Sequence, residues 1–151
     1  EHGYLIDDQG GGVALGRALF RQWAEGLLSE NAAETVAQFT GHDPMGFRDA
    51  LYWAERPNAK LANLVQSLPL NKHSTVWERI APPTFQRFFE ETLNLFSERT
   101  DLHLVGSIAV HFEDYIRPVA DAQGWHIAEC LQAPIDGLVA YHLNLSPDNH
   151  A

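Results

Sequence analysis

From Val13 onward, apolar residues recur at helical spacing. Leu15, Leu19 and Trp23 fall on one face, with Phe20 and Leu27 beside it, which predicts a helix to about Leu28. Asn31 to Phe39 predicts a second helix. Asp43-Pro44 supplies an N-cap and a first-turn proline for a third, which Arg56-Pro57 is expected to end. Leu61, Leu64, Val65 and Leu68 hold the 3.6-residue spacing as far as Pro69. A longer stripe then runs through Val76, Ile80, Phe85, Phe89, Leu93 and Phe96, and Pro82-Pro83 should kink or divide it.

The pattern changes after Thr100. Leu102 to Val105 reads as a buried strand, Gly106-Ser107 as a tight turn, and Ile108, Phe112, Tyr115, Ile116 and Val119 as one packed helix face that Arg117-Pro118 bends. Gly124 stops that helix, Trp125 to Leu131 reads as a second strand, and Ala133-Pro134 opens a last helix through Leu138 and Tyr141. At the other end, Gly3 to Ile6 reads as a short extended segment, followed by a glycine turn from Asp7 to Gly12. Two strands joined by a crossover helix should be parallel, with a right-handed connection. The fold class expected is α/β and heavy in helix. No repeat, low-complexity tract or linker divides the 151 residues, so one domain with one core is expected over residues 1–151.

Charge narrows the partners. Ten Lys plus Arg against twenty Asp plus Glu give a net charge of -10, which repels nucleic-acid phosphates. No segment approaches the ~20 continuous apolar residues of a membrane helix, so neither a nucleic acid nor a membrane is an expected partner. The single cysteine, Cys130, excludes an internal disulfide framework and suits a reducing cytosol, and no secretory signal is visible, so a cytoplasmic location is expected. Met45 is the only methionine, and a longer parent protein with further parts upstream of Glu1 is therefore expected.

The junction Leu104-Val105-Gly106-Ser107 carries the most chemistry. A strand ending in Gly-Ser before a helix leaves the first helical N–H groups unpaired, and the missing side chain at Gly106 lets a ligand approach the main chain. The plainer reading is that Ser107 caps the helix by itself. The eight histidines show no HxH, HxxxH or HExxH spacing, so no metal site is expected from them. His111 lies beside the junction and reads as a helix histidine, Cys130 as a small core residue, and the tryptophans and the Phe85–Phe96 stripe as packing.

Two separated stretches, "GYLIDDQGGGVALGR" and "LVGSIAVHFEDYIRPVADAQGWHIAECLQAPIDGLVAYH", together resemble the BadF/BadG/BcrA/BcrD ATPase family in its N-acetylglucosamine-kinase-like branch. That branch carries "GY-x-x-GDEGSG-x-x-LG" and later "VGS-(I/V)-A" followed by "Q-(S/A)-P-(I/M)-(D/E)-GL-x-x-YH". Both occur here in that order. The resemblance implies the C-terminal lobe of an actin-like, sugar-kinase ATPase, with a ribonuclease-H-like sheet and a small, partly parallel sheet in this half. It implies ATP and Mg²⁺ as cofactors, a sugar as substrate, a missing N-terminal lobe as partner, and leaves room for a homodimer. By the same resemblance Gly106 and Ser107 match the adenosine motif, and Asp8 matches the aspartate that contacts sugar hydroxyls, a role a carboxylate fills by accepting two hydrogen bonds.

Three positions depart from the family pattern: Asp7 stands for glycine, Gln9 for glutamate and Gly11 for serine. The family's first phosphate-binding glycine motif, its catalytic aspartate and the "SGTGS" phosphate motif all precede the first stretch and are not among these residues. Phosphoryl transfer depends on positioning and charge stabilisation around the transferred group, so the chain by itself is expected to be inactive, with no catalytic residue of its own. The alternatives are a catalytically inactive sugar-sensing or interaction module, for which Gln9 speaks, and an ATPase that activates another enzyme. The latter subgroup shares an iron-sulfur cluster through two cysteines per chain, one more than this chain has.

Overall fold

The computed structural model describes residues 9–133. The chain divides between Glu98 and Arg99 into two compact units.

The first unit is helical throughout its described residues: α1 (Gly12–Ala24), α2 (Glu30–Thr40), α3 (Pro44–Tyr52), α4 (Pro57–Leu64), continued by a 3₁₀ turn (Val65–Ser67), and α5 (Ser74–Glu91), followed by a second 3₁₀ turn (Leu93–Leu95). The predicted stripe of α1 is its buried face, with Val13, Leu15, Leu19 and Trp23 all inside. The helix stops at Ala24, short of Leu28, because Gly26 turns the backbone left-handed at φ +69°. α2 is capped by Ser29, whose hydroxyl accepts from the Ala32 N–H at 3.4 Å, and is closed by Gly41 at φ +71°. The Asp43-Pro44 start of α3 forms as expected, the Asp43 carboxylate accepting from the Gly46 N–H at 2.7 Å.

Two expectations about proline need correction. Arg56-Pro57 does not end α3, which stops at Tyr52; it opens α4, with Pro57 in the first turn where a missing N–H costs nothing. Pro82-Pro83 does not divide the long stripe, since α5 is continuous from Ser74 to Glu91. The carbonyls these prolines leave unpaired belong to Glu78 and Arg79, both exposed residues with access to water. The stripe also ends earlier than its spacing suggests: Phe89 is fully buried, whereas Phe96 is 62% exposed beyond the helix.

The core of this unit gathers Leu15, Leu19, Phe47, Leu64, Leu68, Trp77, Phe85 and Phe89. Burying each such side chain contributes about 1.5–3 kcal/mol before entropy is counted. Trp77 satisfies its indole N–H on the Leu68 carbonyl at 2.8 Å. Phe20, Trp23 and Phe47 form an aromatic cluster with centroids 5.7 to 6.4 Å apart, so these rings serve packing.

The second unit holds the strands β1 (Leu102–Val105) and β2 (Ile127–Leu131), which pair in parallel with Leu104 opposite Cys130 and Val105 opposite Leu131. Between them lie α6 (Ser107–His111) and α7 (Glu113–Ala122). One continuous helix was the expectation. Buried Phe112, at φ -108° and ψ 18°, breaks it instead, while Pro118 sits within an unbroken α7. β1 is half-buried and exposed by turns rather than fully buried, its outward positions being His103 and Val105. Gly124, at φ +76°, closes α7 as predicted, and Phe112, Ile116, Ala120, Trp125 and Ile127 form the apolar centre. The fold class is thus helix-rich α/β with a small parallel sheet. Among the described residues no helix is long and apolar enough to cross a membrane. The predicted strand at Gly3 to Ile6 and the helix through Tyr141 lie outside the described residues.

Candidate functional site

Parallel pairing sets the place of the candidate turn. The carboxyl ends of β1 and β2 lie side by side, and in open α/β sheets ligands bind at that edge. Gly106 follows β1 and donates its N–H to the Leu131 carbonyl at 2.8 Å, carrying the ladder one residue past the strand. Its backbone then turns at φ +129° and ψ 162°, a region essentially restricted to glycine. Among the described residues, a Cβ at Gly106 would meet no heavy atom within 4 Å, so this side of the turn is open to them.

Ser107 is exposed and is the first residue of α6. The N-cap is Gly106, which has no side chain, and the helix start has no side-chain cap bond. The reading in which Ser107 itself caps the helix is therefore not realised. The hydroxyl has no hydrogen-bond partner among the described residues, and the first N–H groups of α6 have no side-chain acceptor. Among the described residues the turn thus offers a backbone free of side-chain cover, an unengaged hydroxyl and donors without side-chain acceptors, a set suited to polar oxygens of a ligand. His111, one turn after Ser107, is exposed on the same side of α6.

Cys130 sits behind this edge, half-buried on β2. Burial pushes its thiol above the ordinary value, with nearby Glu113 adding to the shift and Arg117 opposing it, which agrees with a packing residue rather than a nucleophile. Arg117 is bound to Glu113 and to the Ile127 carbonyl and so ties α7 to β2.

Asp8, the predicted sugar contact, and Asp7 lie outside the described residues. The glycine turn that follows them is described, and its glycines have packing reasons. Gly10, at φ +75°, lies so close to α5 that a Cβ would stand 2.8 Å from the Phe88 ring, and a Cβ on Gly12 would already contact Ala62 of α4 at 3.2 Å. Gln9 donates its amide to one oxygen of Glu91 at 3.0 Å, and Arg87 donates to the other at 2.9 Å. The Gln9 amide thus faces the Glu91 carboxylate, where a second carboxylate would meet a like charge. Sequence reading missed Glu91, since nothing local signals a partner 82 residues away.

Fold and turn together define a helix-rich α/β lobe with a ligand-accessible edge. The chain is similar to the crystal structure of a Porphyromonas gingivalis protein provisionally identified as an N-acetylglucosamine kinase, with a TM-score of 0.82 and 26% identity, over 95% of this chain and 51% of that one. The chain therefore spans about half the length of that neighbour. No protein-family model and no curated protein matches it.

Proposed function

We propose that the chain is the C-terminal, nucleotide- and sugar-binding lobe of an ATP-dependent sugar kinase of the N-acetylglucosamine kinase type, within the BadF/BadG/BcrA/BcrD ATPase family. The observation that carries the reading is the open turn at Gly106 and Ser107, which lies at the carboxyl edge of a parallel sheet in a fold similar to such a kinase over 95% of the chain. Gly106 lets adenosine approach the main chain, Ser107 offers its free hydroxyl, and Asp8 accepts hydrogen bonds from two sugar hydroxyls. ATP with Mg²⁺ supplies the phosphoryl group and its charge neutralisation. The space beside the Gly106 main chain, open among the described residues, supports the approach of a ligand there. Mg²⁺ would be held chiefly through the phosphates whose charge it neutralises.

The base that takes the proton from the attacking sugar hydroxyl, and both phosphate loops, belong to the N-terminal lobe, so this chain alone does not turn over. Following ADP release by the full-length parent with N-acetylglucosamine and ATP tests the reading. Sugar-dependent ADP release supports it. Sugar binding without ADP release would instead favour a catalytically inactive sensor, the second reading, to which Gln9 in the glutamate position lends support.

A further inference from the structure

A groove of about 720 Å³ runs between α1 and α5, a volume in the range of small-molecule sites. The two helices are antiparallel along it. At one end Gln9, just ahead of α1, bonds Glu91 at the end of α5; at the other, Arg79 near the start of α5 donates to the carbonyl of Leu27, just past α1, at 3.1 Å. Ala14 and Ala18 keep the α1 wall low, because their side chains end at Cβ.

Four arginines line this groove, Arg17 and Arg21 from α1 and Arg79 and Arg87 from α5. They are four of ten Lys and Arg in a chain of net charge -10, and the one acid lining the groove among the described residues is Glu25. Arg17 and Arg21 are separated by one turn, or ~6 Å along the axis, and Arg79 and Arg87 by two turns, or ~12 Å. Arg21 pairs with Glu25 at 3.2 Å and Arg87 with Glu91 at 2.9 Å, in both cases as exposed pairs that a stronger anion can displace. Arg79 spends one donor on Leu27, and Arg17 has no ion-pair partner among the described residues. A guanidinium carries five N–H donors, so most of the donors lining the groove are unspent among the described residues.

Guanidinium forks match phosphate oxygens in bidentate geometry, and cations spread over two helical turns exceed the reach of one phosphate group. We propose that the α1–α5 groove is a binding site for a small molecule carrying a di- or triphosphate chain. It lies on the first compact unit, whereas the turn at Gly106 belongs to the second.

The test is calorimetric titration of the full chain with inorganic tripolyphosphate at fixed ionic strength. Saturable binding is expected. The double variant Arg17→Gln/Arg79→Gln should weaken it about tenfold or more, through the loss of two charge-assisted contacts. Arg48→Gln, on α3, should leave the affinity unchanged. Absence of binding to the unaltered chain overturns the proposal, as does equal weakening by Arg48→Gln, which would indicate diffuse charge attraction. Arg79 also supports the end of α1, so Arg17→Gln alone carries the test if the double variant unfolds at lower temperature, with weakened binding again the expected result.

Discussion

A Cβ on Gly16 would lie 1.9 Å from the carbonyl oxygen of Leu61, far inside any permitted contact. Gly16 is therefore the point at which α1 presses against the backbone of α4. Gly16 thus has a packing role in this chain, independent of any ligand. Gly16→Ala must push the two helices apart and should cost at least the 1–3 kcal/mol typical of overpacking, roughly. Urea denaturation measures this directly, and an unchanged midpoint would contradict the close approach.

Gly106 and Gly41 allow a comparison in which crowding plays no part. Neither has a heavy atom of the described residues within 4 Å of where a Cβ would stand, yet Gly106 is at φ +129° and Gly41 at φ +71°. Alanine at Gly41 enters the ordinary left-handed region, at about 1–2 kcal/mol. Alanine at Gly106 enters a region that is essentially glycine-only, with strain of about 1–3 kcal/mol. Gly106→Ala should therefore lose more stability than Gly41→Ala in the same chemical denaturation, and the reverse order would contradict the backbone assignment.

Gln9→Glu sets a carboxylate against Glu91 on the exposed end of α5. The loss of stability should be small, about 0.2–1 kcal/mol as for exposed pairs, and should shrink as salt screens the repulsion. A loss independent of salt would mean that Gln9 acts by shape rather than by charge. Thermal unfolding at low and high ionic strength separates the two.

Burial raises the Cys130 thiol above its ordinary value of 9.0, so the folded chain holds the proton more tightly than the unfolded chain. Its contribution to stability is complete below pH 9.0 and is lost as pH rises through the higher folded value. Iodoacetamide should alkylate Cys130 more slowly in the folded chain than in urea at the same mildly alkaline pH, as mass spectrometry would record. Equal rates would contradict the buried thiol.

Much of the fold was legible wherever local chemistry decides it. Asp43 and Gly124 act within their own turns, and Leu102–Val105 followed by a helix and a second apolar run dictates a parallel pair. The errors came where exposure or tertiary packing decides. Pro82-Pro83 is tolerated because the carbonyls it frees belong to exposed residues, and the helix after Ser107 breaks because Phe112 is drawn into the core. At the site, the Gly106-Ser107 junction stood out in the residues themselves. That Ser107 does not cap its helix required the backbone angles, and the Gln9–Glu91 contact and the arginine groove join segments far apart in sequence. Arg17 and Arg21, four residues apart, and Arg79 and Arg87, eight apart, carried the local half of that last signal.

The most direct test of the central claim follows the backbone amides of the isotopically labelled chain by NMR while ATP is added. The account predicts that the Gly106 and Ser107 amides shift progressively and further than those of core residues such as Leu19 or Phe85. Shifts that leave Gly106 and Ser107 unmoved while ATP perturbs other residues, or no perturbation with ATP in large excess, would contradict it.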